Sequence, residues 1–312
     1  MTRDELCDAG AFIDRLDAAA DALRRDPRRR GCTVHLPRSG RLVVTGDLHD
    51  NPINLERIVR HADLHAGPDR HVILQEMIHG DRLVNGVDLS HRMLGRVAGL
   101  VLDHPGQVHP LLANHELAQM RGDSVSKGGG DNVALFDDGL DWVFGDDAEA
   151  VAEAIRRFVA AMPLALRTES GILCSHSLPP PTAMDWFDPG VLDRDLVAAD
   201  YAPPRGDAYA MVWGRGHTGP QVARLAAAWG VELICVGHGF VETGAEAVCP
   251  GLLMINSDHE RAALWRTELA APPPAADVAA IEAVPVAALD ALAELGGRGG
   301  DDGAGETPGN RR

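Results

Sequence analysis

The stretch LVVTGDLHD, residues 42–50, is a short apolar run that ends in Asp47 and His49, two side chains that bind metal ions. Four later stretches repeat the arrangement: HVILQE (71–76), VHPLLANHE (108–116), GILCSHS (171–177) and ELICVGHG (232–239). Their potential ligands are Glu76, Asn114, His176 and His238. Because open α/β sheets bind ligands beyond the carboxyl ends of their strands, we expect these side chains to meet there. The pattern predicts a two-metal hydrolytic centre.

The segments between the first three runs are typical of helices. Asn51 and Pro52 form an N-cap and a first helical position, and Ser90 is the expected N-cap of the next helix. Two strand–helix–strand units in succession imply parallel strands with right-handed crossovers. Further helices are expected near 147–161 and near 220–229, the second closed by Gly230.

The remaining segments give weaker predictions. An amphipathic helix is expected over residues 4–25, and 251–258 with 262–269 resemble a β-hairpin or paired strands. Residues 117–146 interrupt the strand–helix rhythm with a glycine-rich stretch that could overhang a pocket. After Pro272–Pro274 a helix is expected over 276–295. The last residues, 296–312, have the composition of a disordered tail.

Composition narrows the classes of function. The 312 residues carry 29 basic and 46 acidic side chains, a formal net charge of −17. An acidic surface repels polyphosphate backbones, so no nucleic-acid partner is expected. No apolar run approaches the ~20 residues needed to cross a bilayer, and nothing resembles a signal peptide. The five cysteines form no C-x-x-C pair, so we expect free thiols and a cytoplasmic protein without a membrane partner.

His115 is a candidate general acid. It directly follows the potential ligand Asn114, so it can reach a leaving-group oxygen without itself binding metal. The carbonyl oxygen of Asn114 and the imidazoles of His176 and His238 are suitable ligands for the second of two ions.

Several blocks of the sequence resemble the signatures of calcineurin-like metallophosphoesterases, in the same order. They are Gly46-Asp47-Leu48-His49, Asn114-His115-Glu116, Cys174-Ser175-His176 and Gly237-His238. The phosphoprotein-phosphatase branch is the most similar, since residues 158–178 and 209–215 resemble its helix–turn–strand segment and its tryptophan-containing block. The resemblance covers roughly residues 40–269.

The resemblance implies a fold and a role for each of the matching residues. The implied fold is α/β, a four-layer α/β/β/α sandwich of two mixed β-sheets. One metal would be held by Asp47, His49 and Glu76. The other would be held by Glu76, Asn114, His176 and His238. His115 would be the acid, and Arg215 would bind phosphate oxygens through its planar guanidinium.

The second signature block departs from the family pattern. The family has Gly-Asp-x-x-Asp-Arg-Gly where this chain has Gln75-Glu76-Met77-Ile78-His79-Gly80-Asp81-Arg82. Glu76 occupies the position of the bridging carboxylate, with Asp81 as the alternative. His79 occupies the position of the carboxylate that orients the catalytic histidine, a role that Asp81 could take instead. Arg82 is displaced from the family's arginine and is a second candidate for phosphate binding.

These observations predict a catalytic domain over residues 40–270, preceded by an N-terminal helix and connector (1–39) and followed by a tail (271–312). The predicted activity is hydrolysis of a phosphomonoester by hydroxide activated by two metal ions, with Mn, Fe, Zn or Co as candidates. The substrate is either a phosphoprotein or a small phosphorylated metabolite. Two alternatives stay open: a phosphodiesterase or dinucleoside-polyphosphate hydrolase on the same centre, and a non-catalytic scaffold with a degraded metal site.

Overall fold

The computed structural model describes residues 6–124, 126–127, 130–273, 278 and 281–290. Its helices are α1 (Ala9–Arg24), α2 (Pro52–Ala62), α3 (His91–Asp103), α4 (Asn114–Arg121), α5 (Asn132–Phe144), α6 (Ala148–Val159), α7 (Asp207–Trp213) and α8 (Gly219–Trp229). The strands of the first half are β1 (Arg29–Arg30), β2 (Thr33–Leu36), β3 (Arg41–Asp47), β4 (Arg70–Gln75), β5 (Leu83–Val84), β6 (Val87–Asp88), β7 (Val108–Leu111), β8 (Ser126–Lys127) and β9 (Gly130–Asp131). Those of the second half are β10 (Ala165–Thr168), β11 (Ile172–Ser175), β12 (Leu233–Val236), β13 (Ala245–Cys249), β14 (Leu252–Ile255), β15 (Ala263–Glu268) and β16 (Val284–Pro285).

The smaller of the two main sheets has five strands in the order β16-β15-β3-β4-β7. Strands β3, β4 and β7 are parallel, with α2 and α3 as the crossovers, which confirms the predicted strand–helix–strand units. Helix α2 begins as predicted, because the Asn51 side chain accepts a hydrogen bond from the backbone N–H of Asn54 and Pro52 occupies the first turn.

The larger sheet has seven strands in the order β1-β2-β10-β11-β12-β14-β13. Strands β11, β12 and β14 are parallel, whereas β10 and β13 run antiparallel to their neighbours β11 and β14. Both main sheets are therefore mixed. Parallel strands end at the same edge of a sheet, so the two parallel groups bring their carboxyl ends, and the residues that follow them, to defined edges.

Successive residues of the central strands belong to different cores. In β3, Leu42 and Val44 pack in the cluster that lies between the two sheets, whereas Val43 packs in the cluster formed with the helices. Since side chains alternate across a strand, a strand buried on both faces must be apolar at every position. This accounts for the continuous apolar runs in the sequence and confirms the four-layer arrangement of two sheets flanked by helices.

The predicted pairing of 251–258 with 262–269 is wrong. The first segment supplies β14 of the larger sheet and the second supplies β15 of the smaller sheet. Ser257 lies in the connection between them. Its hydroxyl accepts a hydrogen bond from the backbone N–H of Gly46 in β3 and donates one to the carbonyl of Ala263 in β15, so the chain that leaves β14 is bound to the smaller sheet rather than turning back as a hairpin.

Two other expectations need correction. Helix α3 follows Ser90, but the hydroxyl of Ser90 makes no cap; it accepts a hydrogen bond from the backbone N–H of His79 instead. Of the helix expected over 276–295, the structure describes residues 278 and 281–290, and there Val284–Pro285 form β16 and Val286–Ala288 form a 3-10 turn instead of a continuous helix. The ring of Pro285 cannot donate the hydrogen bond that a helix interior requires.

The segments outside the predicted catalytic domain pack onto it where they are described. Helix α1 lies against α3 and α6, and β2 pairs in parallel with β10 of the larger sheet. At the other end of the chain β16 pairs with β15, and Val286 is buried in the core. None of the described helices combines the length and the apolarity needed to span a bilayer.

Candidate metal centre

The six predicted ligands lie at or just after strands of both sheets. Asp47 is the last residue of β3, and Glu76 directly follows β4. Asn114 is the first residue of α4, which comes shortly after β7. From the larger sheet, His176 directly follows β11, and His238 lies two residues beyond β12. The parallel strands thus deliver these side chains to one crevice between the sheets.

Four of the ligand atoms converge at His176. Its Nε2 atom lies 2.7 Å from Glu76 Oε2, 2.7 Å from Asn114 Oδ1 and 3.1 Å from His238 Nδ1. Glu76, His176 and His238, all proposed for the second metal, form the second group, in which the ligand atoms all lie within 4.8 Å of one another. Three of the four residues proposed for the second metal, together with the nearby amide of Asn114, therefore meet at one point.

The other oxygen of Glu76 faces the first group, which contains the predicted ligand His49. Glu76 Oε1 lies 3.3 Å from His49 Nε2 and 3.4 Å from His115 Nε2. These three residues again hold their ligand atoms within 4.8 Å of one another. Glu76 belongs to both groups, and Asp81 belongs to neither. His115, predicted as an acid, thus lies as close to Glu76 as the predicted ligand His49.

Asp47 lies beside the second group rather than within it. Its Oδ1 atom accepts a hydrogen bond of 2.8 Å from the backbone N–H of His238 and lies 3.7 Å from His176 Nδ1. Gly237 permits this approach, because a Cβ atom at that position would lie 2.4 Å from Asp47 Oδ1. Burial, followed by the charge of Glu76, raises the pKa of Asp47 to about 7. A bound cation would act in the opposite direction.

Hydrogen bonds outside the two groups fix the orientation of the histidine rings. Gln75 donates its amide N–H to the carbonyl of Thr45 at 2.8 Å, so its Oε1 atom faces His176 Nδ1 at 3.3 Å and accepts from it. His49 Nδ1 lies 3.2 Å from the carbonyl of Ile78, which can only accept. Both contacts assign the ring proton to Nδ1 and leave the Nε2 lone pair directed at Glu76, as metal-binding histidines require.

The donor set fits metal ions. With its proton on Nδ1, His176 presents a lone pair to a carboxylate oxygen and an amide oxygen, each only 2.7 Å away. Such acceptor atoms repel one another unless a cation lies between them. Burial lowers the pKa of His176 to about 4 and also lowers that of His238, so both rings are neutral at pH 7 and available as ligands.

The backbone at the site is strained. Positive φ angles occur at His49, Glu76, His79 and His238, at +40°, +45°, +59° and +59°. Residues with a Cβ atom rarely adopt this conformation, which costs on the order of 1–3 kcal/mol each and tends to occur at functional sites. These residues lie in or beside the two ligand groups, so the strained backbone conformation orients their side chains into the crevice.

The predicted phosphate-binding residues lie in different places. Arg215 Nη1 donates a hydrogen bond of 2.8 Å to the carbonyl of His238, which holds the guanidinium at the edge of the second group. Asp81 and Arg82 are exposed and line a cavity of about 410 Å³ with Asn51, Asp258 and His259. The loop after Gly80 thus leaves the crevice, since a Cβ atom at Gly80 would lie 2.3 Å from the carbonyl of His49.

Sequence reasoning missed two functional supports. The first is Glu116, fully buried, whose Oε1 atom accepts hydrogen bonds from the backbone N–H groups of Met77 and Ile78 and so holds the loop that carries Glu76. Burial, followed by the charge of Glu76, raises the pKa of Glu116 to about 8. The second is the pair of His79 and Asp88, joined at 3.0 Å. The signal was His79 itself, a histidine in the place of an expected carboxylate.

Comparison with known proteins supports the resemblance seen in the sequence. The family model for calcineurin-like phosphoesterases matches residues 40–240. Among solved structures, a protein serine/threonine phosphatase from Saccharomyces cerevisiae, described as similar to human phosphatase PP5, has a TM-score of 0.61 at 15% identity over 83% of this chain and 82% of its own. A cold-active protein-tyrosine phosphatase of a psychrophilic Shewanella species has a TM-score of 0.56 at 13% identity over 80% of each chain. A search of curated proteins finds no match.

Proposed function

The chain belongs to the calcineurin-like phosphoesterase family, and we propose that within it the protein is a two-metal phosphatase that hydrolyses phosphomonoesters. One observation carries the proposal: the two oxygens of Glu76 face two separate groups of histidines, at 3.3 Å from His49 Nε2 on one side and 2.7 Å from His176 Nε2 on the other. A carboxylate placed between two ligand groups is what a bridged pair of cations needs.

The metals would be held by the residues expected from the sequence. Asp47, His49 and Glu76 would hold one ion, and Glu76, Asn114, His176 and His238 would hold the other. When bound, such ions lower the pKa of water to near neutrality and offset the negative charge of a phosphoryl group. Mixed nitrogen and oxygen donors suit Mn, Fe, Zn or Co.

His115 is proposed as the general acid. Its Nε2 atom points into the crevice, 3.4 Å from Glu76 Oε1, and its ring lies 5.3 Å from that of His49. A proton on Nε2 would pass to the leaving oxygen as the bond from phosphorus to that oxygen breaks and its electron pair stays on the oxygen. The ring leaves the step neutral, with one proton on its other nitrogen.

Arg215 is proposed to bind the phosphate. Its bond to the His238 carbonyl uses one of five N–H groups, so the rest of the planar fork stays available for oxygens of the substrate. Burial is the main cause of the lowered pKa values of His176 and His238, and the positive charge of Arg215 lowers both further. Arg82, which acts electrostatically on Asp50, is a weaker candidate for this role.

The substrate would be a phosphorylated protein or a small phosphorylated metabolite. The test is an activity screen on the full chain, purified, stripped of metal and reloaded separately with Mn²⁺, Fe²⁺, Zn²⁺ or Co²⁺. The substrates are 4-nitrophenyl phosphate, phosphoserine, phosphotyrosine and bis(4-nitrophenyl) phosphate, and the metal content is measured by mass spectrometry. We expect about two ions per chain and faster turnover of monoesters than of the diester.

Three outcomes would contradict the proposal in different ways. A diester turned over faster than every monoester would make the protein a phosphodiesterase. Two bound ions with no turnover of any of the four substrates would reject the proposed substrate class. Near-zero metal content after reloading with each cation would favour a scaffold with a degraded metal site.

A further inference from the structure

His79 is a buried histidine that none of the roles above uses. It lies in the loop after β4, and its side chain has no exposed surface. Its Nδ1 atom donates to Asp88 Oδ2 at 3.0 Å, and its backbone N–H donates to Ser90 Oγ at 3.1 Å. Asp88 is also buried and is held in turn, since its Oδ1 atom accepts from the backbone N–H of Ser90 at 2.7 Å. The ring of His79 is therefore fixed in place.

The Nε2 atom of His79 is the unusual feature. It is buried and has no hydrogen-bond partner among the residues that the structure describes. Because a carboxylate only accepts hydrogen bonds, the ring proton of neutral His79 lies on Nδ1, and Nε2 carries a lone pair. An unsatisfied buried acceptor destabilises a protein and calls for an explanation.

His79 faces the proposed acid. The centres of the His79 and His115 rings lie 5.3 Å apart, and on its other side His79 packs against the edge of Phe136 at 5.5 Å. At this separation a nitrogen of one imidazole comes within hydrogen-bond distance of a nitrogen of the other when the two rings turn toward each other. Complete burial keeps His79 away from any substrate, so it can act only through a neighbour.

We propose that His79, oriented by Asp88, is a positioning residue for His115. The Nε2 atom of His79 accepts a hydrogen bond from the Nδ1–H group of His115. This bond turns the Nε2–H group of His115 toward the leaving group. This inference rests on the acid role proposed above for His115. When that Nε2 proton moves to the leaving oxygen, His115 keeps its Nδ1 proton and the bond to His79. Hydrogen bonds of this kind are often long in the free enzyme and tighten when substrate binds.

The arrangement replaces one carboxylate by two residues. By resemblance to the family, position 79 should carry the carboxylate that orients the acid. Here the negative charge comes from Asp88, nine residues farther along the chain, and it reaches His115 through the His79 ring. Residues 83–88, which form β5 and β6, bring Asp88 back to this position.

Leaving-group dependence tests the proposal. An alkyl leaving group needs a proton and 4-nitrophenolate does not, so loss of positioning must affect phosphoserine far more than 4-nitrophenyl phosphate. For His79→Leu we expect kcat on phosphoserine to fall about 100-fold and kcat on 4-nitrophenyl phosphate to fall about threefold or less, with KM nearly unchanged. Asp88→Asn should show the same pattern at a smaller size.

Two further variants separate positioning from structural damage. His91→Leu is the matched control, because His91 is equally buried and contacts Phe136 but does not contact His115; it should leave both rates within about twofold of the parent. His79→Asp restores a carboxylate at the position itself and should recover most of the rate on phosphoserine. Equal losses on both substrates for His79→Leu and Asp88→Asn, or no loss on either, would overturn the proposal.

A second readout does not depend on activity. Long-range ¹⁵N–¹H NMR of the histidine rings in the full chain reports which nitrogen of His115 carries a proton. We expect the proton of neutral His115 on Nδ1 in the parent and a redistributed or shifted signal in His79→Leu, with no change in His91→Leu. An identical His115 signal in the parent and in His79→Leu would overturn the inference even if the phosphatase activity were established. If the His115 signal changes as expected in His79→Leu but the protein has no phosphatase activity, the contact between His79 and His115 is confirmed. The proposed function, and with it the catalytic role of that contact, is then rejected.

Discussion

Glu76 and His176 connect the two sheets: the carboxylate that follows β4 of the smaller sheet lies 2.7 Å from the imidazole that follows β11 of the larger one. Neither sheet alone contains the site. The parallel strands of each sheet end at the crevice, and the group of Glu76, His176 and His238 forms only when both edges meet. Formation of the metal centre and packing of the two sheets against each other are therefore expected to be coupled.

Glu76→Gln should remove most of the metal affinity. The amide keeps the size of the side chain but takes away the negative charge shared by the two groups. We expect the affinity for both ions to fall about 100-fold or more, because a charged ligand is lost outright. Glu76→Asp, which shortens the side chain by one methylene, should retain part of the affinity. Isothermal titration with Mn²⁺ measures both effects.

Asp81→Asn is the matched control for this prediction. Asp81 was the alternative bridging carboxylate, but it is exposed and lies outside both ligand groups. The variant should bind metal like the parent protein. If Asp81→Asn loses metal while Glu76→Gln keeps it, the assignment of the bridge is reversed.

His115→Asn distinguishes an acid from a ligand. His115 lies within one of the two groups that could hold an ion, so both roles are chemically available to it. As the acid, its loss should lower kcat on phosphoserine about 10²–10⁴-fold and leave metal stoichiometry unchanged. Loss of one ion per chain in the same variant would instead identify His115 as a ligand.

Gly46→Ala should severely destabilise the protein. A Cβ atom at this position would lie 1.7 Å from the carbonyl oxygen of Ile255, where β3 of one sheet passes β14 of the other. Relief of the clash requires the sheets to separate, and we expect a loss of about 3 kcal/mol or more in the free energy of unfolding. Gly219→Ala is the control, because nothing lies within 4 Å of a Cβ atom there. Urea denaturation of the two variants should differ accordingly.

The candidate ligands could be proposed from the sequence because each is specified locally. A buried strand followed by a metal-binding side chain is visible in a few residues, and parallel strands must bring such ends together. Glu76, preferred over Asp81 as the bridging carboxylate, belongs to both candidate groups, and it follows the strand directly whereas Asp81 does not. The parallel arrangement of β3, β4 and β7 follows from the same local patterns, whereas the two sheets were implied by the family resemblance.

Features that depend on distant contacts were not predictable. Nothing in the run 262–269 says that β15 leaves the sheet of β14, because this depends on hydrogen bonds from Ser257 to β3 and β15 of the smaller sheet. The pairing of His79 with Asp88 depends on the return of the chain through β5 and β6. Serine is a residue type that commonly caps helices, yet the hydroxyl of Ser90 accepts a hydrogen bond from the backbone N–H of His79 instead of capping α3.

The buried His91 should make the stability of the protein depend on pH. Its ring lies among Phe12, Phe136 and Phe144, and neither nitrogen has a hydrogen-bond partner among the described residues. Burial lowers the pKa of His91 to about 3, below the ordinary value of 6.5. Between these values the unfolded chain binds a proton that the folded chain excludes, so stability falls as the pH falls from 6.5 toward 3.

His91→Leu removes this linkage. The variant should be at least as stable as the parent at pH 7, because leucine fills a similar volume without unsatisfied polar atoms. The difference in the free energy of unfolding between the variant and the parent should grow by about 2 kcal/mol, in favour of the variant, as the pH falls from 7 to 5. Urea denaturation at the two pH values measures the difference. A gap between variant and parent that does not change with pH would mean that folded His91 can be protonated.

Arg215→Ala should impair catalysis far more than Arg82→Ala, although both arginines were candidates for binding phosphate. Arg215 is held at the carbonyl of His238, beside the second ligand group, whereas Arg82 is exposed in a loop that leads away from it. Loss of charge-assisted hydrogen bonds to the phosphoryl oxygens should lower kcat/KM by about 30-fold or more for Arg215→Ala. For Arg82→Ala we expect a change below about threefold.

Because Arg215 also raises the local positive potential, Arg215→Lys should recover part of the loss through its charge but not the bidentate contact. Steady-state kinetics on 4-nitrophenyl phosphate, with metal content checked in each variant, decides between the two arginines; a larger effect for Arg82 would place the phosphate in the cavity of about 410 Å³ beside Asp81 instead.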